Sequence, residues 1–523
     1  MKLFRCTIAL AALGALYGAT HSSGATRWWS HVLFLAGDKL EGRDAGSEGH
    51  RRAAEYVAAE FERSGLKPAG TSGYLQPVKM TSRRIVESKS SVSLIRNGVR
   101  TPLTLGEDCA ISMRSEPPGH ISAPMVFVGY GLVAPELKYD DLAGLDLRGK
   151  IAVYMVGGPP SIAGSLRSHY QTAGERAKVW QQAGVAGTVS LPSPRSEDLP
   201  WTRISSARLS PSMNLVDKAA PSRLSITANA AHGAKFLDGS GHTIEELLAA
   251  SKAGKRLPTF SIPIDLEADV EVEHSSVESQ NVVAIYPGTD SKLSSEYVVL
   301  SAHLDHLGRG KPVNGDEIYN GAMDNASGIA TLIETAAALH SSGAKLKRSV
   351  LFVAVTGEEK GLLGSQYFAM HPTIQAAGIV ADLNMDMFLP LFPLRLLTAI
   401  GAQESDLGDR LRAVAGPLGV AVQEDPEPQR NLFIRSDQYS FIQQGIPSLA
   451  FKVGYKLRSP EEAIAKKWLA ERYHAPSDDV NQPVDLKAAT DFNRVLLRLT
   501  ESVANQRERP KWKESSFFKR FAK

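Results

Sequence analysis

Between Pro258 and Asp386, short apolar runs alternate with stretches of helical period. The runs at 281–286, 297–302, 349–355 and 379–386 are almost continuously hydrophobic, which predicts strands buried on both faces. The stretches at 325–341 and 361–370 repeat apolar residues every three to four positions and predict helices. Strand–helix alternation of this kind predicts an α/β fold, a mixed and mostly parallel sheet sandwiched by helices. Upstream, Ala53, Ala54, Val57, Ala58 and Phe61 mark another helix, closed by Gly65 and Pro68. From about Ala123 to Lys255 the texture changes to short strands such as 125–128, frequent Gly, Pro and Ser, and a single convincing helix at 174–183. The pattern predicts an inserted β-rich domain at 120–260, dividing the main domain into 26–119 and 261–510, with a basic, aromatic tail at 511–523. That tail reads as a docking or frayed segment rather than a membrane-binding helix.

Composition narrows the classes. The chain has 523 residues, is 43% hydrophobic and 22% charged, and carries a formal net charge of +3, which argues against a disordered chain, a multi-span membrane protein and nucleic acid as a main partner. Lys2 and Arg5, an apolar run at 7–17 and small residues up to Ala25 form the three-part pattern of a secretory signal peptide at 1–25, so the mature chain is expected to begin near Thr26. Export to the periplasm or the extracellular space follows, with no stable membrane insertion after cleavage. Only Cys6 and Cys109 are present, and Cys6 lies in the leader, so no intrachain disulfide is expected in the mature chain.

Functional side chains of α/β sheets gather at the carboxyl ends of the strands. Here the run at 297–302 leads into His303-Leu304-Asp305-His306, that at 349–355 into Thr356-Gly357-Glu358-Glu359, and that at 379–386 ends in Asn384-Met385-Asp386. Gly321-Ala322-Met323-Asp324-Asn325 leads into a helix, and Tyr473-His474-Ala475-Pro476-Ser477-Asp478 sits in a late loop. Imidazoles and carboxylates without thiolates suit a cation such as Zn²⁺, and paired sites hold their ions ~3.5 to 4 Å apart. His303, Asp324, Glu359, Asp386 and His474 would supply five ligands, with a bridging Asp324 giving each ion three protein contacts. Singly, each reads as a cap or turn residue; two adjacent glutamates after an apolar strand, however, are costly unless a cation offsets their repulsion. One glutamate can then bind metal while the other serves as a base. Asp305 is placed to accept the free ring N–H of a ligand imidazole. His340 and His371 read as solvated helix-end residues, and His306 more as a structural residue than a pocket one.

Taken in order, these five motifs resemble those of the M28 family of zinc exopeptidases, the two-zinc aminopeptidases. Leu35–Gly46, Arg435–Phe441 and Gly445-Ile446-Pro447 resemble further segments of that family, and Phe127–Gly131, Tyr139-Asp140-Asp141 and Gly149-Lys150-Ile151 resemble the protease-associated domain inserted in many members. The resemblance implies the zinc-exopeptidase, phosphorylase/hydrolase-like fold and two Zn²⁺ per chain: His303 and Asp386 on one ion, Glu359 and His474 on the other, Asp324 bridging. Glu358 would be the general base and Asp305 the residue orienting His303. Peptides are the implied substrates, attacked from the amino end; no oligomeric state is implied. The same fold resembles carboxypeptidases, glutaminyl cyclases and receptor-like modules that have lost their metals. Retention of all five ligand positions and Glu358 argues against the last. Gly129-Tyr130-Gly131 fits a loose dinucleotide fingerprint, but Pro135 stands where a helix should open. No G-x-S-x-G elbow, P-loop or H-E-x-x-H motif occurs.

Overall fold

The computed structural model describes residues 24–162, 164–191, 200–218 and 222–522. The leader expected at 1–25 therefore lies almost wholly outside the described residues; positions 24 and 25 already belong to a helix over 24–35. The chain divides into two compact units, one formed by the residues up to Val78 with those from Glu278 onward, the other by Lys79–Val277.

The main sheet of the first unit runs through β1 (Val272–Tyr286, from Glu278 onward), β2 (Tyr297–His303), β3 (Ser349–Val355), β4 (Ile379–Asn384), β5 (Leu396–Ile400), β6 (Ala421–Gln423) and β7 (Ser448–Val453), with the short Lys67–Pro68 also paired to β1. They lie in the order β1-β3-β2-β4-β7-β5-β6. β3, β2, β4 and β7 run parallel, whereas β1 joins β3, and β5 joins β7, antiparallel. The predicted mixed sheet is thus observed. Its central strands are buried on both faces. Val298, Leu300 and Ala302 meet α1 (Glu48–Arg63), α2 (Ser327–Ser342) and α3 (Leu486–Asn505) through Val57, Phe61, Ile329, Leu332, Leu496 and Leu499. Val299, Leu351 and Val353 face the other way, toward Phe368 and Phe441. Helix ends are set locally: Ser47 accepts from His50 N to open α1, Asp485 accepts from Ala488 N to open α3, and Gly343 closes α2 at φ +60°. The carboxyl-terminal tail docks, with Trp512 and Phe518 buried against Ile400, Phe433 and Ile442 and Trp512 Nε1 donating to Gly445 O at 2.8 Å. Among the described residues no helix is long and apolar enough to cross a membrane.

The second unit holds an eight-stranded sheet, its central strands His120–Val128, Ile151–Met155, Gly187–Leu191 and Leu224–Ala228 parallel to one another. It is wider than the 120–260 expected. Thr259–Asp269 pairs with His120–Val128 on one side and with Ser91–Arg96 on the other, so the strands Ser91–Arg96 and Val99–Leu103 close onto this sheet instead of the first.

Candidate metal centre

Strand register brings the predicted residues to one edge of the first sheet. His303, the last residue of β2, stands beside Val355 of β3, and Ser301 beside Asn384 of β4, so the loops carrying Glu358, Glu359 and Asp386 leave the sheet next to His303. Asp324 arrives from the irregular turn Ala322–Ala326 that precedes α2, entered through Gly321 at φ +62°. Asp478, fully buried, fixes that turn by accepting from Met323 N at 2.9 Å and Asp324 N at 3.0 Å, while its main-chain oxygen accepts from Ala322 N at 2.9 Å. Asn325 ties the same turn to the loop after β4, donating to Met385 O at 2.8 Å and accepting from Met387 N at 3.3 Å. Beneath, the buried Arg43 donates to Leu304 O, Asn320 O and Gly321 O at 2.9, 2.7 and 3.0 Å, and also to Leu35 O. Its burial draws the guanidinium down to about 10, with Asp305 and Asp478 opposing.

The two oxygens of Asp324 face two different sets of donors. Oδ1 lies 3.2 Å from His303 Nε2, which in turn lies 3.6 Å from Asp386 Oδ1. Oδ2 lies 3.3 Å from His474 Nε2, itself 3.2 Å from Glu359 Oε2. All five side chains proposed from sequence as ligands therefore converge, in the division that the resemblance implied. Two further contacts were not foreseen. His306 Nδ1 stands 2.8 Å from Glu359 Oε1 and 3.9 Å from Asp324 Oδ2, so a residue set aside as structural sits in the cluster. His303 Nδ1 meets the main-chain oxygen of Asp305 at 3.1 Å rather than its carboxylate, which is 3.9 Å away. That carboxylate is occupied elsewhere, accepting from Glu358 N at 3.1 Å and Glu359 N at 3.3 Å. Asp305 thus orients the glutamate loop with its side chain and His303 with its backbone.

Electrostatically the cluster is short of positive charge. Burial disfavours the Asp324 carboxylate, but His303 and His474 hold it well below the usual range. Burial, joined by Glu359, Asp437 and Asp386, pushes the Glu358 carboxyl well above it, against the pull of His303. Burial likewise raises Asp305 to about 6 and Asp437 to about 7. Four carboxylates facing three imidazoles, with donor atoms mutually within 4.8 Å in the groups His303/Asp324/Asp386 and His306/Asp324/Glu359, are a set that a divalent cation fits. Glu359 Oε1 is fully buried without a hydrogen bond, as a ligand oxygen awaiting its ion would be.

Comparison with known proteins agrees with this geometry. Residues 281–500 match peptidase family M28. The chain is 25% identical to carboxypeptidase Q of Xenopus laevis over 71% of its own length and 68% of that protein's, and 28% identical to a probable leucine aminopeptidase 2 of Aspergillus oryzae over 45% of each. In fold it is similar to an aminopeptidase from Aneurinibacillus sp. strain AM-1, with a TM-score of 0.58 at 19% identity over 92% of this chain and 95% of that one. A zinc aminopeptidase of Bacillus subtilis aligns with a TM-score of 0.51 at 18% identity over the same shares. Residues 281–500, the segment that matches peptidase family M28, carry the whole cluster except the supporting Arg43, and by that likeness the chain is a metallopeptidase with zinc as the implied metal.

Proposed function

We propose that the protein is an exported aminopeptidase that hydrolyses the amino-terminal residue of peptides at a pair of zinc ions. The observation that carries this reading is the division of Asp324, whose Oδ1 serves His303 and Asp386 and whose Oδ2 serves His474 and Glu359. Ions held there would polarise the scissile carbonyl and acidify a water toward pKa ~7.

The chain's own residues do the rest. Glu358 neighbours the ligand Glu359 but is not needed as a ligand, and its amide is fixed by Asp305, so its carboxylate takes the proton of the attacking water and returns it to the leaving amine. The surplus of carboxylates favours a substrate's free α-amine over a carboxylate terminus. Lys452 of β7 donates to the main-chain oxygen of Asp386 at 2.9 Å and so ties that loop to the sheet. The 79–277 unit is proposed to be a protease-associated domain, on the motifs at Phe127–Gly131 and Tyr139-Asp140-Asp141.

Turnover of an amino-acid p-nitroanilide is expected, lost on chelation and restored by zinc. A peptide blocked at its amino end should be inert and one blocked at its carboxyl end should be cut. The reverse preference would make the enzyme a carboxypeptidase.

A further inference from the structure

The second half of the cluster has one more imidazole than a symmetrical pair of ions requires. His306 is fully buried, and neither of its ring nitrogens has a hydrogen-bond partner. Its Nδ1 lies 2.8 Å from Glu359 Oε1, an oxygen also lacking a hydrogen bond, so the two touch without the in-line geometry of a donor and acceptor. Buried polar atoms left so are rare unless something else satisfies them. Donors that share one zinc, each ~2.0 to 2.2 Å from it, stand about 3 to 3.5 Å apart. The contacts around Glu359 and Asp324 Oδ2, at 2.8, 3.2, 3.3 and 3.9 Å, bracket that spacing. Space for the ring is provided by Gly321, where a Cβ would come within 2.5 Å of His306 Cγ and 2.2 Å of Asp324 O.

We propose that His306 is a further metal ligand. Resting on the two-ion reading above, it makes the position bounded by His306, His474, Glu359 and Asp324 a closed, nitrogen-rich site. The position bounded by His303, Asp386 and Asp324 keeps only three protein groups and so carries the open place for water and substrate. Closed four-ligand zinc sites are structural and three-ligand sites are catalytic. Two imidazoles select zinc, whereas one imidazole with two carboxylates accepts harder ions such as Mn²⁺. The ion beside His306 is therefore the retained one, and the ion beside Asp386 the exchangeable one.

The test titrates the metal-depleted full chain with Zn²⁺ by calorimetry and counts ions per chain by mass spectrometry after dialysis against graded chelator. The wild type is expected to show a tight and a loose class. His306→Ala should weaken the tight class by more than the ~10- to 100-fold that the loss of an outer-sphere partner gives, while Asp386→Asn weakens the loose class alone. Cobalt-loaded His306→Cys should show a thiolate-to-metal charge-transfer band that the wild type lacks, since Cys109 is buried and lies in the other unit. That band needs only a folded variant, checked by circular dichroism. Two unaltered binding classes in His306→Ala, or no thiolate band in a cobalt-loaded His306→Cys, would overturn the assignment. A wild type that takes up a single ion would instead overturn the two-ion reading, and the cysteine spectrum would still decide whether His306 touches that ion.

Discussion

Buried charge is handled differently in the two units. In the 79–277 unit the buried Asp141, Arg176 and Asp108 are satisfied by the chain itself. Asp141 accepts from Tyr130 N and Leu132 N, both at 3.1 Å; Arg176 donates to Tyr130 O and Gly131 O and lies over the Tyr154 ring; Asp108 accepts from Thr104 N at 2.8 Å and meets Lys235 and His232 at 2.6 Å. At the strand edge of the first unit the supporting groups, Arg43 and Asp478, are matched in the same way. The residues they support are not: imidazoles and carboxylates face one another, and Glu359 Oε1 and both His306 nitrogens have no hydrogen bond. Desolvating charge is expensive unless it is paired, so buried imidazoles and carboxylates that face one another at one strand edge, with Glu359 Oε1 and both His306 nitrogens lacking hydrogen bonds, mark a place where an added cation belongs.

The sharpest way to break that contrast is to remove the one carboxylate read as a base rather than a ligand. Glu358→Gln is expected to lower kcat ~10²- to 10⁴-fold, the range for loss of a general base, while metal content measured by mass spectrometry stays at the wild-type value. Loss of metal in this variant would make Glu358 a ligand and move the base elsewhere.

Much of this edge is legible in sequence because β2, β3 and β4 are buried on both faces and therefore appear as continuous apolar runs, each ending in its functional residues. Long-range partnerships are less visible. Thr259–Asp269 alternates exposed and buried positions along a single strand, and nothing local says that it captures Ser91–Arg96. Asp478 stands inside a recognised motif, yet its role depends on Asp324, 154 residues earlier, passing close enough to donate to it. In sequence His306 reads as a lone histidine, and only its distance to Glu359 makes it a member of the cluster. The amphipathic helix α3 is the exception in kind: its core positions Ala488, Phe492, Val495, Leu496, Leu499 and Val503 repeat at helical spacing, a readable signal that the predicted elements do not include.

Asp478 offers a smaller, graded test. It holds the turn of Asp324 through two amides and is not among the groups proposed as ligands, so Asp478→Asn, which keeps an acceptor for only one of them, is expected to weaken metal binding and kcat by ~10- to 100-fold, as outer-sphere substitutions do. Added zinc should recover part of the activity. If kcat, KM and metal affinity were all unchanged, the turn would be held by other contacts, such as Asn325.

The smallest effect is expected where the comparison predicts stability alone. Asp108 is buried, which would raise its pKa, but Lys235, Thr104 N and His232 together hold it below the ordinary value. A carboxyl whose native pKa lies below its unfolded value of ~3.9 stabilises fully above that pH and loses the contribution as pH falls through the native value. Asp108→Asn should therefore cost about 1 to 2 kcal/mol at neutral pH, read as a lower urea midpoint, and the gap from wild type should narrow below pH ~4. Metal content should not change. A variant that lost zinc along with stability would show that the buried charge of the second unit serves the centre too, and the division between self-satisfied and unmatched charge would have to be redrawn.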